Sequence, residues 1–88
     1  MSEILLSYYQ VIGTDIAATR KELGVSQDDL AKKLGWDRTK ISKTESNTRR
    51  LDMVEFIQIA EALSINPLLL LQRVLMWATM TVDQERDA

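Results

Sequence analysis

Eighty-eight residues, with no cysteine, no histidine and a single proline, make one small domain and not two. Such a chain excludes disulfide scaffolds, zinc sites of the Cys/His kind, Ser-His-Asp or Cys-His catalysis and any histidine proton shuttle. The net charge of −2 conceals a segregation: residues 38–50 hold five basic residues (Arg38, Lys40, Lys43, Arg49, Arg50) against Glu45 alone, or +4, while the remainder holds six basic and twelve acidic residues, or −6.

Hydrophobic residues at 45% and charged residues at 27% are ordinary for a folded domain. A chain this short buries only about 60–65% of its unfolded surface, so a second copy is the natural supplement to its core. The opening MSEILLSYY lacks a basic start and a small-residue cleavage site, which predicts no signal peptide. The longest apolar stretch, residues 67–80, is short for a bilayer span and contains Gln72 and Arg73. The expected location is therefore the cytoplasm, with no membrane partner.

Helical periodicity dominates, and no alternating stretch is long enough for a half-buried strand. The spacing of Leu5, Tyr8, Ile12, Ile16 and Leu23 predicts a first helix from about Glu3 to Leu23, ended by Gly24 in the left-handed conformation. Tyr8 and Tyr9 read as packing residues. Ser26 is placed to cap a second helix, with Asp28 and Asp29 in its electropositive first turn. That helix carries Leu30, Ala31 and Leu34 on one face and stops at Gly35. Asp37 caps a third helix, from Arg38 to about Glu45, whose apolar residue is Ile41. Residues 46–51 form a polar, basic loop with Asn47 as a left-handed turn residue. Asp52 and Glu55 form a capping box for a fourth helix carrying Phe56, Ile57, Ala60 and Leu63. Asn66-Pro67 then opens a fifth helix running to about Met80, followed by a charged, frayed tail over residues 81–88. The expected architecture is all-α: five helices in one domain over residues 1–80.

Ser26-Gln27-x-x-Leu30-Ala31-x-x-x-Gly35 followed by Ile41-Ser42-x-x-Glu45 describes two short helices joined by a tight glycine turn, a helix-turn-helix over residues 26–45. Ala31 leaves room for the second helix to cross close above it, and Gly35 supplies an unusual backbone angle. Leu30, Leu34, Trp36 and Ile41 form the apolar wedge beneath, so Trp36 reads as core more than as a base-stacking residue. Arg20 and Glu45 both fall on core-facing positions, which predicts a partly buried ion pair between the first helix and the end of the third. No phosphate loop, metal cluster or nucleophile–base pair is present, so neither an enzyme nor a cofactor is expected.

From Ile12 to Leu71 the chain resembles the lambda-repressor/Cro-like, or XRE-type, helix-turn-helix family. Arg20, Ser26-Gln27, Leu30-Ala31, Gly35, Ile41-Ser42, Glu45 and Ala60-x-Ala62-Leu63 carry the likeness; Asn47 and Leu51 stand where the family often has Gly and Pro. The resemblance implies a compact five-helix fold that binds operator DNA as a two-fold dimer, the third helix being the recognition helix, and it implies the Arg20–Glu45 pairing too. Stand-alone domains of this size resemble the restriction-modification controllers among such regulators.

The residues themselves point the same way. With Ile41 inward, Arg38, Thr39, Ser42 and Lys43 project from other sides of the third helix, where Arg38 and Lys43 could donate to guanine O6 and N7. Gln27 could bond a phosphate at a helix N-terminus. Asn47, Thr48, Arg49 and Arg50 belong to the loop that would meet the phosphate backbone, and Lys40 reads equally as a phosphate contact or a solvated charge. The expected function is a sequence-specific transcriptional regulator, a repressor, on an inverted-repeat operator in double-stranded DNA. The other reading is a protein-interaction module, an antitoxin or phage-type regulator whose main target is another protein. In the fifth helix the run Leu68–Leu71 covers every direction around the axis. Leu68 and Leu71 are assigned to the monomer core; Leu70, Val74 and Trp77 are left for a partner chain, with the Ile4–Tyr9 extension of the first helix as the alternative cover.

Overall fold

The computed structural model describes the backbone of residues 3–87 and the side chains of residues 10–78. Five helices follow in order: α1 (Glu3–Glu22), α2 (Gln27–Leu34), α3 (Arg38–Glu45), α4 (Met53–Ala62) and α5 (Pro67–Asp87). Their ends follow the capping chemistry. The Ser26 hydroxyl accepts from the Asp29 amide at 3.0 Å, and the Asp37 carboxylate from the Lys40 amide at 2.8 Å. At α4 the Asp52–Glu55 capping box closes in both directions, at 2.7 and 3.2 Å. Asn66 accepts from the Leu68 amide at 2.8 Å, opening α5. Gly24 and Gly35 take the left-handed conformation, at φ 71° and 70°. Ser64, unforeseen, does the same after α4 at φ 57°.

The core has two lobes. Ile16, Leu30, Ala31, Ile41, Ile59 and Leu63 join α1 to the α2–α3 pair and to α4. Val11, Phe56, Ala60, Leu70, Val74 and Ala78 join α1 and α4 to α5. Ile12, Leu51 and Ile65 pack against both lobes, so the helix-turn-helix and the C-terminal helix share one interior.

Three expectations are corrected. Leu23 is exposed, because the chain leaves α1 at Glu22. In α5 the assignment of faces is largely reversed: Leu70 and Val74 are fully buried in the monomer, whereas Leu68 is exposed and Leu71 only partly covered; Trp77 alone of the three residues left for a partner is exposed as expected. Arg73 gives the reason, since its guanidinium reaches Asp15 at 3.5 Å and Glu22 at 3.2 Å on α1. That anchorage turns the stripe Leu70–Val74–Ala78, spaced by four, onto the body of the domain. Burial raises the pKa of Asp15 above the usual carboxylate range, partly opposed by Arg73. Third, α5 does not stop near Met80 but continues to Asp87. The side chains of Leu5, Tyr8, Tyr9, the Ile4–Tyr9 extension and the charged tail lie outside the described residues. No single helix among the described residues is long and apolar enough to cross a membrane.

Candidate nucleic-acid interface

Arg20 and Glu45 meet as a fork: Arg20 Nε donates to Glu45 Oε2 at 2.6 Å and Nη2 to Oε1 at 2.9 Å, and both residues are buried. Arg20 Nη1 also donates to the Val25 carbonyl at 2.8 Å, tying α1 to the turn before α2. The network continues outward. Gln27 Nε2 donates to Glu45 Oε1 at 3.0 Å, while Gln27 Oε1 accepts from Arg38 Nε at 3.3 Å. Arg38 Nη1 lies 3.8 Å from Asp28, and its side chain is otherwise exposed. In the free protein Gln27 thus joins the buried ion pair to the first residue of α3. Its side chain aims Arg38 as well as standing at a helix N-terminus.

The start and middle of α3 and the following loop surround a shallow depression of about 390 Å³ lined by Asp37, Thr39, Lys40, Lys43, Thr48 and Arg49. Thr39, Ser42, Lys43, Thr48 and Arg50 are exposed around it. The Thr48 hydroxyl donates to the Lys43 carbonyl at 3.1 Å, satisfying the end of α3. Lys40 and Arg49 are not simple solvated charges. Both bind Glu55, Lys40 Nζ at 3.3 Å and Arg49 in a fork at 3.1 and 3.2 Å. Lys40 Nζ also stands 3.9 Å from the ring centroid of Trp36, and Arg49 Cζ 5.8 Å from it. Trp36 therefore contributes one side to the core and offers the other as a platform for two cations. Hydrogen bonding from Arg49 is the main cause that holds the Glu55 pKa down to about 2.

Asn47 has a structural role besides the one expected of it. It has the left-handed backbone anticipated for it, φ 62°, but its amide is committed to α1 at both ends. Nδ2 donates to the Gln10 carbonyl at 2.7 Å and Oδ1 accepts from the Gly13 amide at 2.9 Å. In the free protein it is a tether between loop and first helix. This also accounts for asparagine in place of glycine here: it tolerates the same backbone region and adds three long-range hydrogen bonds, the third to the Thr14 hydroxyl at 3.4 Å.

Gly13 is a lone glycine inside a helical pattern, which is the sequence signal of a close approach. A Cβ there would lie 2.2 Å from the Thr44 carbonyl oxygen and 2.8 Å from that of Glu45. Alanine gains about 1 kcal/mol of helix propensity over glycine, yet forcing α1 away from the end of α3 costs about 1–3 kcal/mol or more. Gly13→Ala is expected to lower stability, measured by urea unfolding. A more stable variant would show that the two helices separate freely.

These features define a helix-turn-helix DNA-binding protein. The chain belongs to the helix-turn-helix domain family, of the lambda-repressor/Cro-like (XRE) type: the family model matches residues 13–75. It is a DNA-binding transcriptional regulator and not an enzyme. Among solved structures, it is similar to the restriction-modification controller C.AhdI from Aeromonas hydrophila, 31% identical over 70% of this chain and 94% of that one, with a TM-score of 0.66. The controller C.Esp1396I, solved as a tetramer with its natural 35 base-pair operator, is 28% identical over 82% of this chain and 95% of that one, TM-score 0.76. The gene regulator ClgR from Corynebacterium glutamicum shares the fold, with a TM-score of 0.83 at 16% identity over 90% and 84% of the two chains. No curated protein sequence matches the chain.

Proposed function

We propose that the protein is a repressor of the restriction-modification controller kind, acting in the cytoplasm on an inverted-repeat operator that it binds as a homodimer. Residues 1–80 form the DNA-binding unit, and residues 67–80 carry the dimerisation helix. The observation that carries this reading is the exposed basic rim of α3 and its loop, backed by a buried ion pair that fixes the helix. Arg38 and Lys43 read bases, with Thr39 and Ser42 beside them; Gln27, Lys40, Thr48, Arg49 and Arg50 meet phosphates. The two controllers of similar sequence support the choice of class.

The dimer face follows from the corrected burial. Leu68, Leu69 and Met76 on α5 and Met53, Val54 and Ile57 on α4 are exposed large apolar side chains on two helices that pack together. A two-fold copy covers them and sets recognition helices about 34 Å apart, one DNA turn.

Selection of bound sequences from a random duplex pool tests the class: an inverted repeat is expected, and recovery of no motif overturns it. On the selected operator, Arg38→Ala or Lys43→Ala is expected to cost about 1–3 kcal/mol and to relax preference at one base pair per half-site. Arg50→Ala should weaken binding to all sequences alike. Identical mismatch profiles for the Arg38 and Arg50 variants would refute the division of roles.

A further inference from the structure

Lys40 and Arg49 come from different elements, α3 and the loop behind it, yet converge on one carboxylate oxygen, Glu55 Oε2, at 3.3 and 3.1 Å. The order from inside to outside is clear from exposure: the Glu55 side chain is 15% exposed, Arg49 28% and Lys40 35%. The acid lies behind the cations, and the cations edge the depression that also contains Thr39, Lys43 and Thr48. Glu55 is itself fixed, because its Oε1 accepts from the Asp52 amide at 3.2 Å in the capping box. A carboxylate held between an ammonium and a guanidinium presents the charge and the acceptor geometry of a phosphate diester oxygen pair.

We propose that Glu55 is an internal stand-in for a DNA backbone phosphate: in the free protein it occupies Lys40 and Arg49, and DNA binding turns both cations outward onto a phosphate in its place. The inference rests on the DNA-binding reading above and adds a residue that limits affinity. Two cations and one part-buried acid leave the clamp a net charge of +1, so every phosphate that docks there is repelled by the acid behind it. Trp36 lies within reach of both cations and keeps them near the depression when the carboxylate lets go. The gain from exchange is therefore reduced without the clamp being dismantled. The consequence is weak binding to arbitrary DNA, with the operator favoured through the base contacts made elsewhere on α3.

Glu55→Gln tests this, because glutamine retains the N3 capping bond while losing the charge. Glu61→Gln, an exposed position on the same helix, makes the same change in net charge away from the clamp. Binding of a short labelled duplex of arbitrary sequence is measured by anisotropy across a salt series. Glu55→Gln is expected to bind about five- to tenfold more tightly than Glu61→Gln, with a salt slope steeper by about one unit. The gain should vanish when Lys40→Ala and Arg49→Ala are added. Equal affinities for the two glutamine variants, weaker binding by Glu55→Gln, or a gain that survives loss of both cations would overturn the inference while leaving the DNA-binding reading intact. Failure of the wild type to bind any duplex would overturn both. The wild type gives an arm independent of mutation: the Arg49 side-chain Nε resonance is expected to move on titration with the duplex, and an unmoved resonance counts against the exchange.

Discussion

Replacing Arg20 by Met, or Glu45 by Leu, is expected to cost about 3–5 kcal/mol, and the double replacement to recover much of that loss. The asymmetry arises from burial. A fork at 2.6 and 2.9 Å between two buried groups satisfies both charges, and removing one strands the other away from water. Gln27 remains beside a stranded Glu45, and the Val25 carbonyl beside a stranded Arg20, but a neutral partner does not replace an opposite charge. Two apolar side chains in the same space remove both charges at once. Urea unfolding of the four proteins measures the coupling, and strictly additive losses would mean that the pair contributes nothing as a pair. The cost extends to recognition, because Arg38 is held through Gln27 to Glu45. Glu45→Leu, where folded, should relax operator preference although Glu45 itself is buried behind Gln27.

Val74→Glu is expected to abolish folding at neutral pH, whereas Met76→Glu leaves the fold and separates the dimer. Val74 is 2% exposed among Val11, Phe56, Leu70 and Ala78, while Met76 is 58% exposed two residues further on. A carboxyl group in an apolar interior is driven upward by about 3–5 pKa units. From an unfolded value of about 4.3 the penalty levels off at about 3–4 kcal/mol at pH 7, where the buried group is protonated, and the lost valine packing adds to it; together they are comparable with the whole stability of a small domain. A glutamate at position 76 meets water in the monomer and would be buried only in the proposed dimer. Circular dichroism distinguishes loss of fold from loss of partner, and light scattering gives the mass. A folded Val74→Glu, or a Met76→Glu that remains dimeric, would overturn the assignment of faces.

Local chemistry made most of the architecture legible. Ser26, Asp37, Asp52 and Asn66 accept backbone hydrogen bonds within three residues of themselves, and Gly24, Gly35 and Asn47 take left-handed angles for reasons of their own side chains. Such effects act within one turn, so helix boundaries, the glycine turn and the basic loop can be read from order alone. The Arg20–Glu45 pair was legible too, since each charge interrupts an apolar stripe on its own helix. The facing of α5 was not. Ten of the fourteen residues from Pro67 to Met80 are apolar, so the stripe has no phase until Arg73 finds Asp15 and Glu22 on α1. Glu55 could be read as a cap, but not as the partner of Lys40 and Arg49, because that meeting depends on how the loop returns α4 toward α3. Sequence by itself determined where the helices begin and where all but the last of them end; the tertiary structure decided which face each one hides and which charges it neutralises, because those choices are made between side chains far apart along the chain.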